Sequence, residues 1–190
     1  MILYTIQPSS VLHEIQEKGR YHFDSAQAPL YSDFSPSYQW MEQEMQKRGI
    51  TPSVRNGEKE PLVWAWHTWE GERKIPEYKD QTFVTDGRED RPVCIEIDIP
   101  DEKVLLSDFN AWHSVLNHLY IDDSTNEEEF DRMHAEFQVL PEEEKQRKME
   151  ESWQKIFDIT KYESEWRSNG MYVQAVFYGL YREQIVRVYE

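Results

Sequence analysis

Tryptophan and histidine stand side by side at two separate places in the sequence, at Trp66-His67 and at Trp112-His113. An imidazole titrates near neutral pH and a neighbouring indole excludes water, so both histidines are candidate acids or bases. Asp108 precedes the second pair, and its carboxylate is a candidate for orienting a histidine through the ring N–H. The two segments predict one shared pocket in which His67, Asp108 and His113 are the catalytic candidates.

A structural reading of both histidines stays open, because a histidine beside aromatic residues is often a hydrogen bonder in a core. The sequence contains no Cys-x-x-Cys or His-Glu-x-x-His pattern, so we expect no metal site. It also contains no Gly-x-Ser-x-Gly, and none of its seven glycines has the spacing of a nucleotide-binding loop. Cys94 lies in an apolar run and is predicted to pack as a small buried hydrophobe.

Gln174 is the polar residue in the middle of the apolar segment 172–178. A glutamine in an alternating strand commonly faces solvent, whereas a buried amide offers donors and an acceptor to a ligand. We count Gln174 with the catalytic candidates, and Tyr4 and Gln7 as candidate ligand contacts. The aromatic walls of the predicted pocket are Trp64, Trp66 and Trp112. Such a pocket would stack a planar ring, for instance a nucleotide base or nicotinamide, between indoles.

Alternation of apolar and polar residues predicts strands over residues 2–6, 62–69, 93–99, 104–109 and 172–178, with a further apolar tail at 185–189. In the second of these strands the alternation places Trp64 and Trp66 on one face, and His67 and Trp69 on the other. Residues 70–91 are rich in Gly, Pro and charged residues, which predicts a long mobile connection and a lid.

Helices are predicted from Ser9 or Ser10 to about Lys18, from Ser35 to Gly49, and over 112–120. Two more are predicted within residues 122–168, separated by Pro141, the second running to about residue 162. Helices concentrated at two places between scattered strands favour an α+β fold. At 190 residues we predict one domain, residues 1–190, with a mixed or antiparallel central sheet and flanking helices.

The chain carries 37 acidic and 21 basic side chains, a formal charge of −16. This charge repels nucleic-acid phosphates and anionic lipids, so we expect neither general nucleic-acid binding nor membrane binding. The sequence lacks a signal peptide and a long apolar span, which predicts a cytoplasmic protein. Two functions stay open: a pocket for a small molecule or nucleotide, and an interaction module whose acidic helices, residues 126–165, bind a basic protein partner.

Motifs spread over nearly the full chain carry a family resemblance: 3–7, 38–41, 45–48, 63–66, 105–113 and 173–176. Through Leu3-Tyr4-Thr5-Ile6-Gln7 and Leu105-Leu106-Ser107-Asp108-Phe109-Asn110-Ala111-Trp112-His113 in particular, the chain resembles the domain of unknown function 3841 family. The resemblance implies a bacterial cytoplasmic protein and supplies no established activity.

A second resemblance links the chain to the ADP-ribosyltransferase superfamily, especially its DNA- and RNA-modifying toxins. That pattern has an aromatic-His-Thr first strand, a helix ending in Gly, an aromatic-rich strand, and a late strand with a catalytic glutamate. Tyr4-Thr5-Ile6-Gln7 and Val173-Gln174-Ala175-Val176 occupy comparable places here. The resemblance implies an ADP-ribosyltransferase-like fold and NAD as the cofactor. Because Gln174 replaces the glutamate and the first-strand histidine is missing, it also implies that transfer activity is lost or changed.

Overall fold

An antiparallel six-stranded sheet organises the computed structural model, which describes residues 1–22, 34–55, 58–85, 87–162, 166 and 169–190. The strands along the chain are β1 (Ile2–Pro8), β2 (Val54–Arg55), β3 (Glu58–Lys59), β4 (Leu62–Thr68), β5 (Phe83–Thr85), β6 (Arg88–Asp90), β7 (Pro92–Asp98), β8 (Leu105–Asp108), β9 (Val173–Tyr178) and β10 (Ile185–Tyr189). The central sheet has the order β10-β7-β1-β4-β9-β8, while β2-β3 and β5-β6 form two small sheets. All paired strands are antiparallel.

Five α-helices lie within the described ranges: α1 (Ser9–Lys18), α2 (Ser35–Lys47), α3 (Phe109–Leu116), α4 (Glu127–Gln138) and α5 (Glu142–Ser152). Short 3-10 helices occupy Asp101–Lys103, Trp153–Phe157 and Arg182–Gln184. The predicted α+β class, with an antiparallel central sheet and flanking helices, is confirmed. None of the helices among these residues is long and apolar enough to cross a membrane. Glutamates fill the first turns of α4 and α5, and the basic partner for these helices stays a prediction.

Hydrophobic side chains cover the sheet on both faces. On one face, Leu12 and Ile15 of α1 pack with a cluster of aliphatic residues from the central strands. We call this the α1 face. The other face carries Trp64 and Trp66 and is called the tryptophan face. There the buried residues come from α2, α3, the strands and the 3-10 helix: Met41, Met45, Ile50, Leu105, Trp112, Val115, Trp153, Ile156, Val176 and Tyr178.

Side-chain capping moves the start of α3 upstream of its predicted position. The carboxylate of Asp108 accepts a hydrogen bond from the Ala111 amide at 2.9 Å, so the helix begins at Phe109 and not at Trp112. The predicted long final helix is also wrong, because α5 ends at Ser152 and a 3-10 helix follows. The sequence also predicts a short extended piece at 21–24, of which residues 23 and 24 lie outside the described residues.

Local pairing occurs within the described residues 70–85 and 87–91, and the mobile connection and the lid stay predictions. Trp69 and Glu72 pair across a tight turn, and the strands β5 and β6 form a hairpin. Between these two features the chain is anchored by Pro76 and Tyr78, both buried. Burial of a large ring offsets the entropy of ordering a polar segment, which composition alone does not reveal.

Trp112 is the central aromatic side chain beneath the tryptophan face. It is 3% exposed and stacks on Trp64 with ring centroids 5.2 Å apart, and Tyr38 meets it edge-on at 5.9 Å. We predict that Trp112→Ala lowers the free energy of unfolding by about 3–5 kcal/mol, because it leaves a large cavity. Urea unfolding measures this loss, and the exposed Leu119→Ala serves as a control with little effect. A loss below about 1 kcal/mol for Trp112→Ala would contradict the packing described here.

Candidate functional site

Four side chains form a row across the tryptophan face at the level of Gln174. Gln174 lies directly opposite Trp66 on β4 and opposite Ser107 on β8, and Trp66 lies opposite Tyr4 on β1. Neighbouring strands are about 4.8 Å apart, so the row is about 14 Å long. The sequence predicted that Tyr4, Trp66 and Gln174 belong together, and the strand register places them on one face.

Three aromatic rings surround Trp66, which lies between Tyr4 and Gln174 in this row. The Trp66 ring centroid lies 4.7 Å from Trp69, 5.0 Å from Phe109 and 6.5 Å from Tyr172, with interplanar angles of 61–89°. We call Trp66, Trp69, Phe109 and Tyr172 the aromatic cluster. All four residues are partly buried, so part of each faces solvent while most of Trp66 is covered. Edge-to-face packing stabilises the cluster beyond its buried area.

A β-bulge brings Trp69 to the tryptophan face, contrary to the prediction from alternation. The register of β4 against β9 shifts between Trp66 and Thr68, so two residues of β4 oppose one residue of β9. An extra residue reverses the alternation beyond it. Trp69 therefore contacts Trp66 and does not share the face of His67.

His67 lies on the α1 face, away from the Gln174 row. Its Nδ1 is 2.9 Å from the Thr68 hydroxyl. Burial, followed by the charge of Arg73, lowers the pKa of His67 to about 4, so the ring is neutral at pH 7. The hypothesis that both Trp-His pairs line one pocket is wrong for this histidine, because the sheet separates it from the aromatic cluster.

His113 is exposed and adjoins the aromatic cluster through Phe109, whose ring centroid lies 4.4 Å away at an angle of 88°. Its Nδ1 is 2.9 Å from the Phe109 carbonyl oxygen, an acceptor, so that nitrogen carries the proton. The Nε2 lone pair then remains as the basic site of this ring. His113 is thus the histidine that the fold places beside the cluster.

Asp108 does not orient His113, contrary to the sequence-based hypothesis. Its two carboxylate oxygens accept hydrogen bonds from the amides of Ala111 at 2.9 Å and Gly170 at 2.8 Å. Burial raises the pKa of this carboxyl, and the backbone bonds act in the opposite direction. Asp108 therefore joins β8, the start of α3 and the segment before β9, which positions Phe109 and His113.

Two other predicted contacts lie away from the row. Gln7 donates a hydrogen bond from Nε2 to the Thr5 hydroxyl at 2.8 Å, and the alternation of β1 places both on the face opposite Tyr4. Trp64 and Trp112 are on the tryptophan face, but their rings already stack on each other. A planar ligand therefore cannot insert between these two indoles, which corrects the expected sandwich.

Buried polar atoms without a hydrogen-bond partner mark the row and the cluster. They are the Gln174 Oε1, the Ser107 hydroxyl and the Trp69 indole N–H, each unpaired with respect to the described residues. Ser107 is 0% exposed. Leaving such a group unpaired costs about 1–3 kcal/mol, and unmatched groups in a native structure need an explanation. Sequence reasoning identified Gln174 but missed Ser107, because its pairing with β9 is a long-range contact.

The described residues contain neither a group of metal-ligating side chains nor an accessible thiol. No three His, Cys, Asp or Glu side chains group there as metal ligands would. Cys94 is buried, as predicted, and burial raises the pKa of its thiol to about 12. A protonated, enclosed thiol is a poor nucleophile. Side chains able to hold an organic ligand are those of the Gln174 row and the aromatic cluster.

The lowered pKa of His67 makes stability depend on pH. Between pH 6.5 and about 4 the unfolded chain binds the His67 proton more strongly than the folded one. Stability contributed by this group is therefore present above pH 6.5 and is lost as the pH falls toward 4. We predict that the urea midpoint of the wild-type protein falls from pH 7 to pH 5 by more than that of His67→Gln. An equal fall in both proteins would show that His67 is not desolvated.

A comparison with protein-family models matches residues 2–186 to the family described as a domain of unknown function, number 3841. No curated protein and no solved structure matches the chain. The matched range includes every residue of the Gln174 row, the aromatic cluster, Asp108 and His113. The chain belongs to the domain of unknown function 3841 family.

Proposed function

We propose that this protein binds a small heteroaromatic molecule, a nucleotide base or a nicotinamide-type ring, on the Gln174 row. The observation that carries the proposal is the Gln174 Oε1, which has no hydrogen-bond partner within the described ranges and lies next to a cluster of partly exposed aromatic rings. An aromatic surface combined with a few directed polar atoms is the usual composition of a site for a planar ligand.

The aromatic cluster supports stacking of a ligand on its open side. Its rings meet edge-on, so their faces are not all covered by one another. Partial exposure of Trp66, Phe109 and Tyr172 leaves apolar area that a ligand ring would remove from water. Since Trp64 and Trp112 are closed to insertion, the ligand in this proposal lies against one aromatic surface and not between two indoles.

The buried polar atoms that lack a partner among the described residues indicate which groups the ligand must carry, once a covering aromatic side chain moves aside to admit it. Gln174 Oε1 accepts a hydrogen bond, so it calls for an N–H on the ligand. The Trp69 indole only donates, so it calls for a carbonyl or ring-nitrogen acceptor. The Ser107 hydroxyl serves either partner. A primary carboxamide on a ring, as in nicotinamide, supplies both a donor and an acceptor, and an aminopurine does the same.

Ligand titration tests this proposal with a matched pair of probes. We expect nicotinamide to quench tryptophan fluorescence with saturation, and nicotinic acid to do so far more weakly. The acid has no amide N–H for Gln174, and a protein of charge −16 repels its carboxylate. Equal binding of both probes, or no saturable quenching by either, would contradict the proposal.

Gln174→Leu separates binding from stability. The change removes the amide and keeps an apolar side chain of similar length, so we predict a loss of nicotinamide affinity of about tenfold. Replacing an unpaired buried polar group by an apolar one is neutral or stabilising, so the urea midpoint stays equal or rises. The exposed Gln138→Leu is the matched control and leaves affinity unchanged. A large loss of stability in Gln174→Leu would instead assign the amide a structural role.

The transferase resemblance makes a separate prediction about Gln174→Glu. A carboxylate stabilises the positive charge that develops on ribose when the bond to nicotinamide breaks, and a neutral amide does not. We predict that wild-type protein releases little nicotinamide from NAD by hydrolysis and that Gln174→Glu releases it faster, with an unchanged fold by circular dichroism. Equal release by wild type, Gln174→Glu and Gln174→Leu would contradict the transferase kinship and leave the ligand-binding proposal standing.

A further inference from the structure

A cavity of about 510 Å³ lies where the end of β9 meets the connection from β7 to β8. Small-molecule sites commonly have volumes of about 300–1,000 Å³. The cavity is separate from the proposed ring-binding row, because its lining residue Tyr178 is four positions beyond Gln174 on β9, a distance of about 13 Å along a strand.

Carboxylates dominate the charge of this cavity. Glu60, Glu102, Glu183 and Lys103 line it, so three negative side chains stand against one positive side chain. Glu102, Glu183 and Lys103 form no ion pair with any residue in the described part of the chain. Lys103 therefore does not neutralise the glutamates directly. The formal charge of −16 adds a field that concentrates cations at such a surface.

Apolar and aromatic side chains form a second part of the wall: Ile50, Ile99, Pro100, Tyr178 and Tyr181. Gly49 and the polar residues Thr51, Ser53 and Gln184 complete it. Methylene groups bury favourably against such side chains, and an ammonium group within about 6 Å of a tyrosine ring is attracted to its face. An aliphatic chain with a positive charge at each end therefore matches both the charge and the walls.

Local backbone geometry fixes the tyrosine wall in place. Gly179 has φ of +73°, and a Cβ at this position would lie 2.6 Å from Cε2 of Tyr181. Only glycine lets the ring lie so close to the backbone. The Tyr181 hydroxyl donates a hydrogen bond to Glu60, and the Tyr181 amide donates to the Gln184 Oε1 at 2.7 Å. The ring and the carboxylate of Glu60 are thus positioned before any ligand arrives.

We propose that this cavity binds an aliphatic diamine or polyamine, whose ammonium groups contact Glu60, Glu102 and Glu183 while its methylenes lie against the tyrosine and isoleucine side chains. Glu102 and Glu183 supply charge from two different segments of the chain, and Glu60 anchors the side next to Tyr181. Lys103 opposes binding. The ligand is positively charged and aliphatic, so it is distinct from the ring proposed for the Gln174 row.

Isothermal titration with spermidine tests this site in full-length protein at about 0.15 M NaCl, where distant exposed charges are screened. We expect saturable binding with one spermidine per chain. The double variant Glu102→Gln/Glu183→Gln should lose affinity by about tenfold, and Lys103→Met should gain about threefold. Glu89→Gln, an exposed carboxylate on β6, is the matched control and should bind as wild type does.

Three results would overturn the proposal. Absence of saturable binding would show that the cavity holds no polyamine. An equal loss in Glu89→Gln and in the double variant would show unspecific attraction to an acidic chain. Displacement of spermidine by an equal concentration of Mg²⁺ would show that the carboxylates attract any dication and that the aliphatic walls add no selectivity.

Discussion

The pairing of β4 with β1 on one side and with β9 on the other determines which side chains meet on each face of the sheet. Side chains alternate along β4, so this register places Trp64 and Trp66 on one face and Val63 and Ala65 on the other. A slip of one residue would exchange these sets and bury the wrong side of the strand. The two hydrophobic cores therefore hold the register, and the register assembles the Gln174 row.

The row carries a stability cost that the cores offset. Gln174 and Ser107 keep buried polar atoms that have no hydrogen-bond partner among the described residues, although apolar residues there would pack without that penalty. Asp108 contrasts with them, because both of its oxygens are satisfied by backbone amides. Asp108 thus contributes to the fold, whereas Gln174 and Ser107 add polar groups at a cost in stability, and sites that favour function over stability have this character.

Most helices and the strands of the central sheet were predicted from the sequence, because strand alternation and helix capping depend on a few neighbouring residues. Pro36, in the first turn of α2, is one such local signal. Gln174 stood out because it interrupts an apolar strand. Three features were not predicted, because each depends on residues distant in sequence. They are the bulge that turns Trp69 toward Trp66, the pairing of Ser107 with Gln174, and the hydrogen bond from the Gly170 amide to Asp108. Alternation correctly predicts that His67 lies on the face of β4 opposite Trp66. The sequence does not show that His113 and Gln174 lie on the side of Trp66, and for this reason His67 was expected in their pocket.

The proposed ligand contacts Gln174 and Trp66 together, and nuclear magnetic resonance observes both groups directly. In a titration of ¹⁵N-labelled protein with nicotinamide, the side-chain amide signal of Gln174 and the indole N–H signals of Trp66 and Trp69 should shift along one saturation curve. Signals of the exposed Gln138 amide should stay in place. Saturable shifts that leave the Gln174 and Trp66 signals unmoved, or no shifts at all, would contradict the assignment of this row as a binding site.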